Sequence, residues 1–226
     1  MTDPLAVGSL FAGEYRILRR LSEGGMGTVF VAEQISTGRE RALKVMQRHL
    51  VADDRAHARF IQEARISGHL DSDHVVAVVG AGVDRASGVP WIAMELLLGE
   101  DLATAAARRS FEPDEVLALF AQLCHGLGAA HRANIVHRDL KPENVFLARP
   151  KRAGDRFDVK VLDFGIAKVI ANASKHATQC IGTPLWMAPE QASVGGEIPR
   201  DGRLGVGPPC IPAARWLVLL ALGRPR

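Results

Sequence analysis

Ile135-Val136-His137-Arg138-Asp139-Leu140-Lys141-Pro142-Glu143-Asn144, followed further on by Leu162-Asp163-Phe164-Gly165, is the stretch on which the reading of this chain turns. It sets a carboxylate (Asp139), an ammonium (Lys141) and an amide (Asn144) in one short loop. A second carboxylate (Asp163) follows on a loop after a short apolar strand. These groups can orient a hydroxyl, neutralise a phosphate and hold Mg²⁺ through hard oxygen ligands. A plain polar turn between two strands would need no such ordered combination.

Working outward, the segment before this loop reads as strands and then helices. Residues 15–21 alternate as a strand, and Gly24-Gly25-Met26-Gly27 makes a tight turn. Residues 28–33 form a second strand closed by Ser36-Thr37-Gly38, and residues 41–46 a third that carries Lys44. This is an antiparallel meander, whereas a dinucleotide-binding turn would run from a strand into a helix. Residues 1–13 read as a short flexible leader. Asp53-Asp54 opens a helix with acids at its positive end. Ala58, Ile61, Ala64 and Ile66 give that helix an apolar side, and it ends near Gly68. Residues 75–79 and 91–96 are the fourth and fifth strands, joined through a turn at 84–88.

From residue 101 the periodicity changes to helical. A short helix spans 101–108, and a longer one starts at Pro113, whose missing N–H is harmless in a first turn. Val116, Leu119, Phe120, Leu123, Leu127 and Ala130 recur at helical spacing and read as core. Residues 145–147 and 159–162 are strands that flank a basic hairpin at 149–156.

Composition bounds the function classes. The 226 residues are 47% hydrophobic, enough for a sizeable core, and Lys+Arg 28 against Asp+Glu 25 leaves a net charge of +3. That balance gives no reason to expect a nucleic-acid partner, and Arg108-Arg109 and Lys151-Arg152 read as solvated surface. Cys124, Cys180 and Cys210 lack metal-ligand spacing and read as reduced thiols of a cytoplasmic protein. The histidines show no zinc pattern, and no secretory leader is expected at the N-terminus. The apolar run 216–222 falls far short of the roughly 20 residues of a membrane span.

The ordered motifs resemble those of the protein kinase family, and the resemblance covers residues 12–191. It implies an α+β, two-lobed fold: a five-stranded antiparallel sheet with one helix over residues 12–97, then an incomplete, mainly helical lobe over 98–191. Residues 192–226 form a tail that does not match. The glycine-rich hairpin, with Gly24, Gly25 and Gly27, would lie over ATP phosphates. Ser22 stands where the family usually has glycine, which would stiffen the first turn. Lys44, in Ala42-Leu43-Lys44-Val45, would contact the α- and β-phosphates and be oriented by Glu63. Val29 and Ala42 are counted with the nucleotide-contacting residues. Ala93-Met94-Glu95-Leu96-Leu97 resembles the hinge, where Glu95 would offer a carbonyl and Leu97 an N–H to adenine. Asp101 falls where the family contacts the ribose, and it is equally suited to cap a helix. Asp139 would accept or orient the proton of the attacking hydroxyl, and Lys141 would neutralise the moving phosphoryl group. Asn144 and Asp163 would hold Mg²⁺.

The segment 182–190 resembles the end of an activation segment, and the resemblance implies that it would build a platform for peptide substrates. Together with Lys141, it is the serine/threonine form of the pattern, most like bacterial relatives of eukaryotic-type kinases. It speaks against a small-molecule kinase of related fold. Arg138 would dock a loop phosphate, with Ser174 and Thr178 as candidate sites and Thr183 structural. The resemblance therefore implies transfer of the ATP γ-phosphate to Ser or Thr hydroxyls of a protein. A non-catalytic nucleotide-binding or interaction module is the alternative.

The tail reads either as divergent sequence or as a frameshift. Synonymous codons chosen for residues 199–212 let the next frame encode a helix of the kind the family carries there. In both cases the stripe along 116–130 would lack part of its packing partner. An unstable chain, or an exposed surface that binds a partner or a second copy, is expected.

Overall fold

A computed structural model of the chain describes residues 4–24, 27–47, 70–137, 139–152 and 154–164, with positions 58, 60–62, 64 and 68. The activation segment from 165, the tail from 192, and Gly25, Glu63 and Arg138 lie outside the described residues.

The first sheet is antiparallel. It comprises β1 (Leu10–Phe11), β2 (Tyr15–Gly24), β3 (Gly27–Gln34), β4 (Arg39–Met46), β5 (Val78–Val83) and β6 (Pro90–Glu95), in the order β1-β2-β3-β4-β6-β5. The five expected strands are present, and the two-residue β1 adds an edge. The expected leader of residues 1–13 is thus shorter. Phe11 is buried beside Tyr15 and Ile17, and Gly8 N donates to Ile17 O while Ile17 N donates to Ser9 O. Burying one phenylalanine is worth about 1.5–3 kcal/mol, enough to draw the adjoining residues onto the sheet.

The fourth expected strand, at 75–79, begins later. Val75 and Val76 are buried, as their apolar character suggests, but they pair with the other lobe: Val76 N donates to Val161 O and Val161 N to His74 O. Helical residues before this segment bury Phe60 and Ala64 against Met46, Val76, Ile92 and Met94. Ala58, expected on the buried side, is exposed, and the bulkier Phe60 takes the inward place.

The second lobe starts with β7 (Gly99–Asp101), a strand not anticipated, which pairs with β8 (Val145–Ala148); β9 (Asp158–Val161) completes a sheet in the order β7-β8-β9. Helices α1 (Leu102–Arg108) and α2 (Pro113–Arg132) pack on it. Leu119, Leu123 and Ala130 of the α2 stripe are buried, and Val116, Phe120 and Leu127 are partly buried against the same core. None of the six is laid bare, so this stripe supplies no exposed apolar surface of the kind expected. Gln122 on α2 ties the helix to the outer edge of β9, accepting from Val159 N at 2.7 Å and donating to Phe157 O.

At the start of α2, Glu115 is 4% exposed and carries a full set of donors. Arg109 grips it with two bonds of 2.8 and 3.1 Å, Arg156 adds a third at 3.2 Å, and Glu112 N closes a capping box. The Arg109 guanidinium, ahead of the Glu112 N–H and Arg156, holds the Glu115 carboxyl down at about 2.

Two outcomes follow from this packing. A Cβ added at Gly126 would lie 2.8 Å from the backbone carbonyl oxygen of His74, whereas one at Gly128 would meet nothing closer than the mobile end of Arg132 at 3.5 Å. Gly128→Ala is therefore expected to raise stability by about 0.5–1 kcal/mol. Gly126→Ala should lower it, because a cost of about 1–3 kcal/mol for overpacking outweighs the same helix gain. Urea midpoints of the two variants check this. Because the folded pKa of Glu115 is depressed below 4.5, its contribution is complete above that pH and is lost as pH falls towards 2. About 2 kcal/mol should disappear over that window, allowing for screening of the exposed arginines. A Glu115→Gln variant should show a correspondingly flatter stability profile between pH 5 and 2.

Candidate active site

The end of α2 sets up the loop that bears most of the motif. Asn134 turns left-handed (φ 57°) just past the helix, a conformation asparagine tolerates, and Ile135 N donates back to Ala130 O. Ile135 then buries in the second-lobe core and fixes the loop's entry. Pro142 opens a 3₁₀ turn (Pro142–Asn144), where its preset φ helps and its missing N–H does no harm. Asn144 is buried. Its Nδ2 donates to Asp139 O at 2.7 Å and to Asp139 Oδ2 at 3.2 Å, and Lys141 Nζ lies 3.0 Å from the same Oδ2. Asp139, Lys141 and Asn144 thus form one cluster.

Asp163 is brought to this cluster through its neighbour. Leu162 N donates to Asn144 O at 2.9 Å, and Leu162 O accepts from His137 Nε2 at 2.7 Å. The other ring nitrogen of His137, Nδ1, accepts from Asp139 N at 3.3 Å, so the proton of the neutral ring sits on Nε2. His137 is buried and meets Phe164 edge-on, with ring centroids 4.7 Å apart. Burial pushes its imidazole below the ordinary value, against the opposing pull of the Leu162 carbonyl. Asp163 itself is left-handed (φ 58°), which costs roughly 1 kcal/mol for an acid and turns its carboxylate towards the first lobe.

There it meets Lys44. The lysine sits in β4 opposite Val29 and Ile92, is buried, and places Nζ 2.7 Å from Asp163 Oδ2. A buried ammonium requires such a counter-charge. The partner expected for it, Glu63, lies outside the described residues. Gly24 and Gly27 face each other at the end of the β2–β3 hairpin, and Ser22 pairs with Val29 beyond an irregularity after Arg20. A Cβ at Gly27 (φ 148°) would fall 2.2 Å from Val45 O, so only glycine lets β3 lie this close to β4.

Two residues before Lys44 and on the same face of β4, Ala42 pairs with Met94 and packs in the same core as the partly buried Leu97. Asp101 caps α1: it accepts from Thr104 N at 2.9 Å and from the Thr104 hydroxyl at 2.7 Å. Of its two expected uses, the cap is the one these bonds display. Glu95 carries more than a backbone carbonyl. Its Oε1 accepts from Ala77 N at 2.9 Å and lies 2.7 Å from Lys160 Nζ. Lys160 was not singled out in the sequence, although a lysine between the two apolar residues Val159 and Val161 is the signal that could have marked it.

The chain matches the protein kinase domain over residues 15–197. It belongs to the protein kinase family. It is 41% identical over 204 residues to the serine/threonine-protein kinase Pkn1 of Myxococcus xanthus, covering 89% of this chain and 28% of that protein. It is 36% identical over 207 residues to the serine/threonine-protein kinase PknL of Mycobacterium tuberculosis, covering 91% and 50%. Among solved structures, the kinase domain of M. tuberculosis PknI superposes with a TM-score of 0.62 at 32% identity, over 72% of this chain and 62% of that one. This kinase-family chain therefore spans from about a quarter to a half of the curated relatives' length. The family generally uses ATP and Mg²⁺. No helix among the described residues is long and apolar enough to cross a membrane.

The buried imidazole generates a pH dependence. With the folded pKa below the unfolded value of 6.5, the unfolded chain takes up a proton first as pH falls, so this contribution to stability declines below about pH 6.5. The ring resonances of His137, followed by NMR, should titrate below 6.5. A midpoint at or above that value would contradict the neutral, Nε2-protonated ring.

Proposed function

We propose that this chain is the nucleotide-binding and catalytic part of a protein serine/threonine kinase that transfers the γ-phosphate of ATP to a Ser or Thr hydroxyl. The observation that carries the reading is the junction at Leu162. One residue, bonded on both sides, keeps the Lys44–Asp163 pair and the Asp139–Lys141–Asn144 cluster side by side. Residues 12–97 and 98–191 form the two lobes in this reading.

The donor set suits a hard dication. Asp163 offers a carboxylate, and Asn144, with its Nδ2 committed to Asp139, has its Oδ1 to offer. Mg²⁺ bound there would neutralise charge on the phosphates of ATP. The protein's own share is positioning and electrostatics. Asp139 holds the attacking hydroxyl and takes or orients its proton. Its carboxylate is aimed by Asn144 Nδ2 and Lys141 Nζ. Lys141, 3.0 Å from Asp139, is placed to meet charge developing on the transferred group. Lys44 reaches the α- and β-phosphates from β4, with the glycine-rich hairpin above it. The Glu95 carbonyl and the Leu97 N–H read adenine, and Val29 and Ala42 contact the nucleotide. Asp101 contributes to the ribose while capping α1.

A second reading has two observations in its favour: the family match ends at residue 197, and the chain covers only 62% of a solved kinase domain. The chain would then bind nucleotide without transferring phosphate. Radiolabel transfer from ATP to a Ser/Thr protein substrate, measured together with MgATP affinity, separates the two. Under the kinase reading, Asp139→Asn lowers transfer by about 10²–10⁴-fold with little change in affinity. Lys44→Met should weaken MgATP binding as well. Binding without any transfer in the parent chain would favour the module. An Asp139→Asn variant as fast as the parent would remove Asp139 from the chemistry.

A further inference from the structure

The pair Lys160–Glu95 is not accounted for by any role above. Lys160 is 4% exposed, on β9, whose neighbours Val159 and Val161 face the second-lobe core. Because side chains alternate along a strand, Lys160 points the opposite way, towards the first lobe. Its Nζ lies 2.7 Å from Glu95 Oε1 and 3.4 Å from Val75 O. The same Oε1 accepts from Ala77 N, and Glu95 N donates to Ala77 O. One carboxylate and one ammonium thus join three segments: the end of β6 at the hinge, residues 75–77, and β9.

An ion pair between a buried lysine and a partly buried glutamate is a poor way to gain stability. The desolvation of both charges consumes much of the attraction, and an apolar pair of similar volume would fill the place as well. Its distinctive effect is to fix geometry. Lys160 stands three residues before Asp163, and the intervening Val161 and Leu162 are both held by backbone bonds to neighbouring segments. At its other end the pair holds Glu95, whose main chain is the element proposed to read the base. The two ends of the pair therefore belong to the two halves of the nucleotide site: the hinge, which would face adenine, and the strand leading to Asp163, which would face the phosphates.

We infer that Lys160 and Glu95 are positioning residues that set the distance between the base-reading hinge and the phosphate-side carboxylate, and so favour a nucleotide over a bare polyphosphate. The inference rests on the nucleotide-site reading above. Neither side chain touches the reacting atoms; both act through the backbone they hold.

Two ligands distinguish positioning from simple stability. Mg²⁺–ATP needs both ends of the site, whereas Mg²⁺–tripolyphosphate uses the phosphate end alone. Binding of each to the full chain is measured by titration calorimetry. Lys160→Met is expected to weaken Mg²⁺–ATP about tenfold and leave Mg²⁺–tripolyphosphate within about twofold. Glu95→Gln keeps the shape and the acceptor for Ala77 N, and should show the same pattern in smaller measure. It also carries the test should Lys160→Met fail to fold. Equal losses for both ligands, or no loss for either, would overturn the positioning role. A parent chain that binds tripolyphosphate and ATP with equal affinity would do the same. A parent that binds neither would overturn the nucleotide-site reading and this inference with it.

Discussion

The two hydrogen bonds of Leu162 hold the candidate site together. Its N–H goes to Asn144 O and its carbonyl accepts from His137, so the backbone before Asp163 cannot shift relative to the loop that bears Asp139. Their partners His137 and Asn144 are buried and Leu162 is partly so, and a buried amide or carbonyl left unsatisfied would cost about 1–3 kcal/mol. That penalty enforces the arrangement more strongly than the modest net gain of making the bonds. It also dictates the state of His137: a ring that accepts from Asp139 N and donates to Leu162 must be neutral, and burial keeps it so.

The same logic operates between the lobes. Residues 74–76 belong by sequence to the first lobe, yet their backbone bonds to Val161 of the second. Lys160 reaches back in the opposite direction to Glu95. Leu98 O accepts from Arg149 N beside the hinge. Strand β9 therefore has both its free edge and its outward face occupied, which removes an exposed edge and fixes where Asp163 emerges. Gln122 seals the remaining length of that edge from α2. The energetic weight lies in backbone groups left without water, and the charged pairs add direction to it.

Much of this organisation is legible in the chain itself where the signal is local. The meander, the turn at 36–38, the capped helix beginning at Pro113 and the motif loop each follow from residues within a few positions of one another. The strand boundary near residue 78 is not local. Val75 and Val76 are apolar and β-branched, and nothing in their own neighbourhood says that they pair with a residue more than 80 positions later. The edge strand β1 hides for a similar reason: a single phenylalanine finds the core only once β2 has been laid down. The partners of Glu115 and Lys160 are likewise not marked locally, because burial of a charge is decided by whatever closes over it.

By itself, the sequence determined which chemical groups are present and in what order: an ammonium in the third strand of a meander, a loop with carboxylate, ammonium and amide, and a second carboxylate after an apolar strand. Those follow from residue identity and short spacing. Only the tertiary structure decided that Lys44 and Asp163, 119 residues apart, meet at 2.7 Å, that a lysine between two valines joins the two lobes, and that a histidine is held neutral between two backbone groups. These are long-range outcomes of desolvation. Once a polar group is buried, the fold must supply its partner, and that partner's place along the chain is set by topology.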